Sequence, residues 1–281
     1  TGTPNYGWVF CGNLPGVNSR TERIDYSNDT VTAAHRSNCI THRWQYGATG
    51  NENFGYYTGG ENPSYTSSTE RIEYANDTAG TVFRGNLTET RRAFMGTGNS
   101  SFGYFAGGSV PGAISTVSRI DYSNDTNAMS AKGPLPLPIG YATAASSQDD
   151  SNAKPLLANT TRSGPAGYGY YGGGSGNNSR VQRIDYANDT NTAVRLGDDL
   201  SIGRDKISAT GNSSFGYFAG GTNRTKVDRI DYSNDTLTAP GGDLLTPGKE
   251  NLKAVGNANF GYFTGGQDSP ATYRSDVDRL D

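Results

Sequence analysis

Few residues in this chain have the type and spacing that bond-making chemistry requires. Its two histidines, His35 and His42, have no cysteine or carboxylate cluster at ligand spacing around them, so no metal site is expected. Cys11 and Cys39 lie in the same stretch of chain, where a disulfide and two separately buried thiols are both open readings. Serines and aspartates are abundant, yet no Gly-x-Ser-x-Gly elbow with a histidine downstream stands out. The glycine-rich runs end aromatic stretches and open no helix, which argues against a phosphate cradle. Asp185, Asn188 and Asp189 offer oxygen ligands of the kind calcium takes, but Asn-Asp turn chemistry is sufficient to explain them. The expectation is a chain with no catalytic residue, no metal and no cofactor: not an enzyme.

What does recur is an arginine two residues before a carboxylate: Arg119 with Asp121, Arg183 with Asp185, Arg229 with Asp231. In an extended segment both side chains of such a pair fall on one face. If sheets pack on both faces, the expected use is structural, an Arg–carboxylate pair between neighbouring sheets. The elements that would place them repeat with a period near 48 residues. Aromatic-Gly-aromatic runs start at Tyr6, Phe54, Phe102, Tyr168, Phe215 and Phe260, and Arg-Ile-Asp-type segments start at Arg23, Arg71, Arg119, Arg183, Arg229 and Arg279. Self-similarity at this period marks a repeat architecture. Within residues 97–145, Phe102 to Ala106 alternates and ends in Gly107-Gly108. Val117 to Tyr122 alternates again, with Ile120 and Tyr122 on one face, and Ser123-Asn124-Asp125-Thr126 reads as a turn. A weaker strand leads to Gly133 and another lies near Ile139 to Ala145. Four short antiparallel strands per repeat is the size of a propeller blade.

These motifs resemble kelch-type β-propellers. The double glycines are Gly59-Gly60, Gly107-Gly108, Gly172-Gly173, Gly220-Gly221 and Gly265-Gly266. The tyrosine–acid pair stands inverted as Asp25-Tyr26, Glu73-Tyr74, Asp121-Tyr122, Asp185-Tyr186 and Asp231-Tyr232. A basic residue precedes the next strand at Arg43, Arg91, Arg204 and Lys249, while the family's tryptophan after the tyrosine–acid strand is missing. The wording of RIDYSNDT and FGYFAGG is also similar to repeat proteins of marine bacteriophages, which implies a virion-surface or tail-fibre part. The expected fold is all-β: a six-bladed propeller of four-stranded blades, one domain over residues 1–281, with seven blades as the alternative if chain is missing. Arg279-Leu280-Asp281 stops where another turn should begin, so one outer and one inner strand are expected beyond the sequence given.

Composition agrees with a strand-and-turn protein: 33% hydrophobic residues, 39 glycines and 18 tyrosines. A formal charge of −3, with arginines spread at the repeat period, leaves no basic footprint for nucleic acid. No apolar stretch approaches the roughly 20 residues of a membrane span. No signal peptide is recognised, and the chain opens on Thr1.

Repeats within one chain separate scaffold from variable surface. The Asn-Asp-Thr turns agree, and they also match the N-glycosylation sequon. The segments after the double glycines differ, for example Asn13 to Val17, Glu61-Asn62-Pro63-Ser64-Tyr65, Ser109 to Gly112 and Gln267 to Pro270. Variable loops on rigid strands are how a scaffold carries recognition. Tyr65, Arg180, Arg224, Tyr273 and Arg274 are the candidate contacts, because aromatic and arginine side chains are favoured anchors. Arg119 to Tyr168 spans 49 residues where other repeats take 31 or 32, so an insertion at about 146–164 is expected in the fourth blade. The functional expectation is a non-enzymatic recognition module on a virion or extracellular surface. Its partners would be other virion or surface proteins, or glycans, with stacking or homo-oligomers as the mode of assembly. A multivalent, lectin-like propeller is the alternative.

Overall fold

In the computed structural model the aromatic and Arg-Ile-Asp segments pair as neighbouring antiparallel strands, and six such sheets stand around one axis. The structure describes residues 1–12, 18–147, 167–239, 243–244, 247–268 and 272–281. The second blade shows the pattern. Gly47–Gly50 is innermost, followed outward by Phe54–Thr58, Thr69–Glu73 and Val82–Arg84. Three further sheets have four strands in the same order. The first blade has Tyr6–Gly12, Asn18–Asp25 and Ala34–Asn38, with a single bridge from Gly2 to Gly7 on its inner side. The sixth has Lys253–Gly256, Gly261–Thr264 and Val277–Leu280. The ring shuts with six blades, so the seven-blade alternative falls away. No helix of the described residues is long and apolar enough to cross a membrane.

The innermost strands of the second, third, fifth and sixth blades end in a glycine followed by asparagine, and that asparagine fixes the hairpin that follows. Asn99 Oδ1 accepts from the backbone N–H groups of Ser101 and Phe102 at 2.9 and 2.8 Å, and Asn51, Asn212 and Asn257 do the same in their blades. The glycine of each aromatic-Gly-aromatic run has a packing cause. A Cβ on Gly103 would lie 2.5 Å from Thr49 Cγ2 of the second blade and 2.7 Å from the Tyr122 hydroxyl. The aromatic after that glycine then stacks on the tyrosine of the next blade. The pairs are Trp8–Tyr74, Tyr56–Tyr122, Tyr104–Tyr186, Tyr170–Tyr232 and, closing the ring, Tyr262–Tyr26, with ring centroids 4.4–5.1 Å apart. Five of the six interfaces thus carry a stacked aromatic pair, while between the fifth and sixth blades the described core is Ala219, Val227, Leu244, Leu252 and Phe263.

Between blades the recurring arginine meets a carboxylate, but not the one two residues away. Arg119 donates to Asp189 of the fourth blade at 2.7 Å. Lys132 lies 3.2 Å from the same carboxylate, and the Tyr104 hydroxyl donates to it at 2.8 Å. Asp77 likewise takes Trp8 Nε1, Arg23 and Arg36. Asp125 takes Tyr56, Arg71 and Arg84, Asp235 takes Tyr170 and Arg183, and Asp29 takes Tyr262 and Arg279. The partner is therefore the aspartate of the Asn-Asp-Thr turn. Asp121, Asp185 and Asp231 instead accept from the backbone N–H two residues on and hold that turn in shape. Arg229 stacks on Phe215 at 4.5 Å, and among the described residues no turn aspartate reaches it. Burial works to raise Asp77 and Asp189, yet their cationic and hydrogen-bonding partners outweigh it and hold both below the ordinary carboxylate range.

The insertion falls, as its length requires, between the first and second strands of the fourth blade, Thr143–Ser146 and Tyr168–Gly172. Most of it, like the Asn13 to Val17 segment, lies outside the described residues.

Candidate recognition face

At one end of the ring the loops after the double glycines meet the loops that enter each new blade, and backbone geometry joins the two. The first glycine of each pair has φ of +62 to +75° and the second +87 to +128°. In the fourth blade this pair is Gly173-Gly174. That is one position later than the Gly172-Gly173 of the sequence pattern, because Gly172 is the last residue of the strand. The glycines admit the neighbouring loop: a Cβ on Gly107 would sit 2.3 Å from the carbonyl oxygen of Ile139. The second glycine then donates its N–H to that loop. Gly60 bonds to the Arg91 carbonyl at 2.8 Å, Gly108 to Ile139 at 2.7 Å, Gly174 to Arg204 at 3.0 Å and Gly221 to Lys249 at 2.9 Å.

The side chains of those same loop residues turn inward and tie the loop to its own blade. Arg91 donates to the carbonyls of Phe105 and Thr116 and to Ser118 Oγ, at 2.9, 3.1 and 2.9 Å. Arg43 pairs with Glu70 at 2.6 Å, Arg204 with Asp228, and Lys249 with Asp278 at 2.9 Å. Burial pushes the Arg91 guanidinium down to about 10, still well above neutrality, so it stays charged. The fourth blade replaces this cation with Ile139 and the facing carboxylate with Gln182, whose Oε1 accepts from the backbone of Leu137 at 3.0 Å. Losing both charges together avoids leaving either one buried and unpaired.

Two residues past each anchor the backbone takes a left-handed turn, at Gln45, Ala93, Tyr141, Lys206 and Asn251, with φ between +54 and +59°. Five different side chains, of which Ala93 is buried at 6% exposure, thus occupy five equivalent backbone sites around the axial mouth. Neighbouring positions cross-link the blades. Glu61 pairs with Arg92, whose guanidinium lies 4.9 Å over the Tyr65 ring. On the opposite side Glu250 accepts from Lys206 at 2.8 Å, from Thr222 at 2.6 Å and from Gln267 at 2.8 Å. Below this mouth the inner strands line a cavity of about 70 Å³, in which Lys253 is the single charged side chain among the described lining residues. Its ammonium stands 4.7 Å over the Tyr46 ring, and burial pushes it down to about 8.

Of the residues the sequence singled out, all five candidate contacts fall at this end of the ring, but in four different blades. Tyr65 lies under Arg92 in the second blade. Arg180 is exposed in the fourth, where its backbone N–H donates to Asn178 Oδ1 at 2.9 Å. Arg224 is exposed in the fifth. Tyr273 is exposed in the sixth, next to Arg274, which is tied to Asp268 at 2.9 Å. The structure does not gather them into one pocket. The basic residues that anchor the loops are visible in the sequence as a recurring position, but the left-handed sites two residues on escape a search for chemical motifs, because their common property is a backbone angle. The calcium reading of Asp185 and Asp189 also dissolves: Asp185 caps its own turn, while Asp189 faces the neighbouring blade.

Among solved structures, the chain is similar to the one titled "Structure of YjhT", with a TM-score of 0.74 at 11% identity, covering 97% of this chain and 90% of that one. Likeness at this identity establishes the propeller fold. No protein-family model and no curated protein sequence matches the chain.

Proposed function

We propose that this propeller is a non-enzymatic recognition module that grips one protein or glycan partner with the loop face around the channel mouth. The observation that carries this reading is the set of five equivalent left-handed positions filled by Gln, Ala, Tyr, Lys and Asn. Four of these positions, Gln45, Tyr141, Lys206 and Asn251, reach the surface while Ala93 is buried. Equivalent geometry with unlike chemistry makes one asymmetric surface, whereas several matching pockets would need the same residue in every blade. The backbone beneath is fixed by buried cation anchors and glycine contacts, so little ordering entropy is lost on binding. Tyr65, Arg92 and Tyr141 supply aromatic and arginine anchors on one side of the mouth, and Lys206 with Glu250 supplies the polar side. The kelch-like repeat pattern and the phage-like wording of the repeats support display on a virion or extracellular surface, with other surface proteins or glycans as the partners.

A glycan array, read alongside capture against candidate surface proteins, identifies the ligand, and titration calorimetry then gives the stoichiometry. One site per chain, weakened at least tenfold by Tyr141→Ala and untouched by Asn53→Ala at the opposite end, is the expected result. Several equal sites per chain would favour the lectin-like alternative and overturn the single-surface reading.

A further inference from the structure

We propose that Cys11 and Cys39 form an intrachain disulfide that staples the first blade at its recognition end. The internal repeats make the case before any distance does. Cys11 stands where the other five blades place the first glycine of the pair, Gly59, Gly107, Gly173, Gly220 and Gly265, and it keeps their left-handed backbone with φ of +22°. A side chain there is strained, and only an interaction at that side chain offsets the cost. Cys39 stands where four other blades place a leucine. Its N–H donates to the Ser19 carbonyl as Leu87, Leu135, Leu200 and Leu244 donate to Ser67, Ser115, Ser179 and Thr225. Both departures from the repeat occur in the same blade, and at positions that touch. In the fifth blade a Cβ on Gly220 would lie 3.7 Å from Leu244 Cδ1. In the first blade the two sulfur atoms are 2.6 Å apart, enclosed by Phe10, Tyr46 and Tyr57. Among the described residues no third histidine, cysteine or carboxylate joins them in a metal-binding group.

The chemistry needs an oxidant, and a small disulfide such as oxidised glutathione supplies it. The thiolate of Cys11, the less buried of the two, attacks one sulfur of the small disulfide and expels a thiolate. Cys39, as its thiolate, then displaces the second half. One S–S bond is broken and one formed. The two protein protons pass to the two released thiols, and two electrons reduce the small molecule while the cysteines are oxidised.

The pairing does not depend on what the propeller binds. In protein purified without reductant and exposed to oxidised glutathione, thiol titration under denaturing conditions is expected to find none, and the intact mass to fall by two hydrogens. Dithiothreitol should restore both thiols and lower Tm by about 5–10 °C, since the bond closes a long loop of the unfolded chain. The variant Cys11→Gly/Cys39→Leu restores the residues of the other blades. It is expected to keep the all-β circular dichroism and lose the dithiothreitol-dependent shift in Tm. Two titratable thiols after oxidation, a bond between chains on a non-reducing gel, or the same shift in the double variant would overturn the proposal.

Discussion

Asp189→Ala removes one acceptor that three donors from the preceding blade share. The carboxylate is 8% exposed and holds Arg119 at 2.7 Å, Lys132 at 3.2 Å and the Tyr104 hydroxyl at 2.8 Å. Breaking a buried ion pair from one side costs about 3–5 kcal/mol, because the abandoned charge stays behind. Arg119 is 23% exposed and Lys132 12% exposed. Water can therefore recover part of that loss, and about 2–3 kcal/mol is expected. For a chain of this size that lowers Tm by roughly 4–10 °C. The matched control is Asp121→Ala, which loses only turn bonds, from the Ser123 N–H at 3.0 Å and its hydroxyl at 2.7 Å. That change should cost about 1 kcal/mol. Guanidinium unfolding of both variants, with Arg119→Ala to complete a double-mutant cycle, reads the coupling directly. The cycle should show Arg119 coupled to Asp189 and independent of Asp121. Equal losses for the two aspartates, or coupling of Arg119 to Asp121, would refute the assignment of the turn aspartate as the link between blades.

Three further outcomes follow from the same geometry. Asp77 and Asp189 have folded values held below the unfolded carboxylate value, so their contribution is complete above about pH 4 and is lost as pH falls through the depressed values; the penalty of Asp189→Ala should therefore shrink in acid unfolding curves. Gly103→Val should cost about 3 kcal/mol or more, because the added atoms meet Thr49 and the Tyr122 hydroxyl inside a closed interface. Lys253 has its folded value lowered to about 8. The unfolded chain therefore binds that proton more tightly, and stability should rise between pH 8 and 9; Lys253→Met should be more stable than the parent at pH 7 and should lose that rise.

Much of the ring was legible in the chain because its causes are local. Gly103 and Ile120 alternate with their neighbours as strands require, and the aromatic-Gly-aromatic and Arg-Ile-Asp segments pair in the sequence order their spacing implies. What was not legible are the contacts whose register the period cannot set. Arg119 and Asp121 share a strand, so proximity in sequence suggested a shared role. The true partner lies 70 residues on, across the insertion, and only the three-dimensional stagger of neighbouring blades shows which turn reaches which arginine. The Gly172-Gly173-Gly174 run hides which two glycines need positive φ, a property that neighbouring identical residues cannot display. The variable loops that the repeats single out lie at one end of the ring. The left-handed residue two past each anchor, Ile139 included, has no common residue type, so only the basic anchors at Arg43, Arg91, Arg204 and Lys249 left a pattern to find.

Hydrogen–deuterium exchange on the complex with the ligand that the array or capture identifies is the most direct measurement of where that ligand sits. The account predicts protection across residues 43–46, 61–66, 91–93, 139–141, 204–206 and 249–251, all at the channel mouth. Protection confined to the opposite end, at the hairpins of Asn51, Asn99 and Asn212, would contradict it.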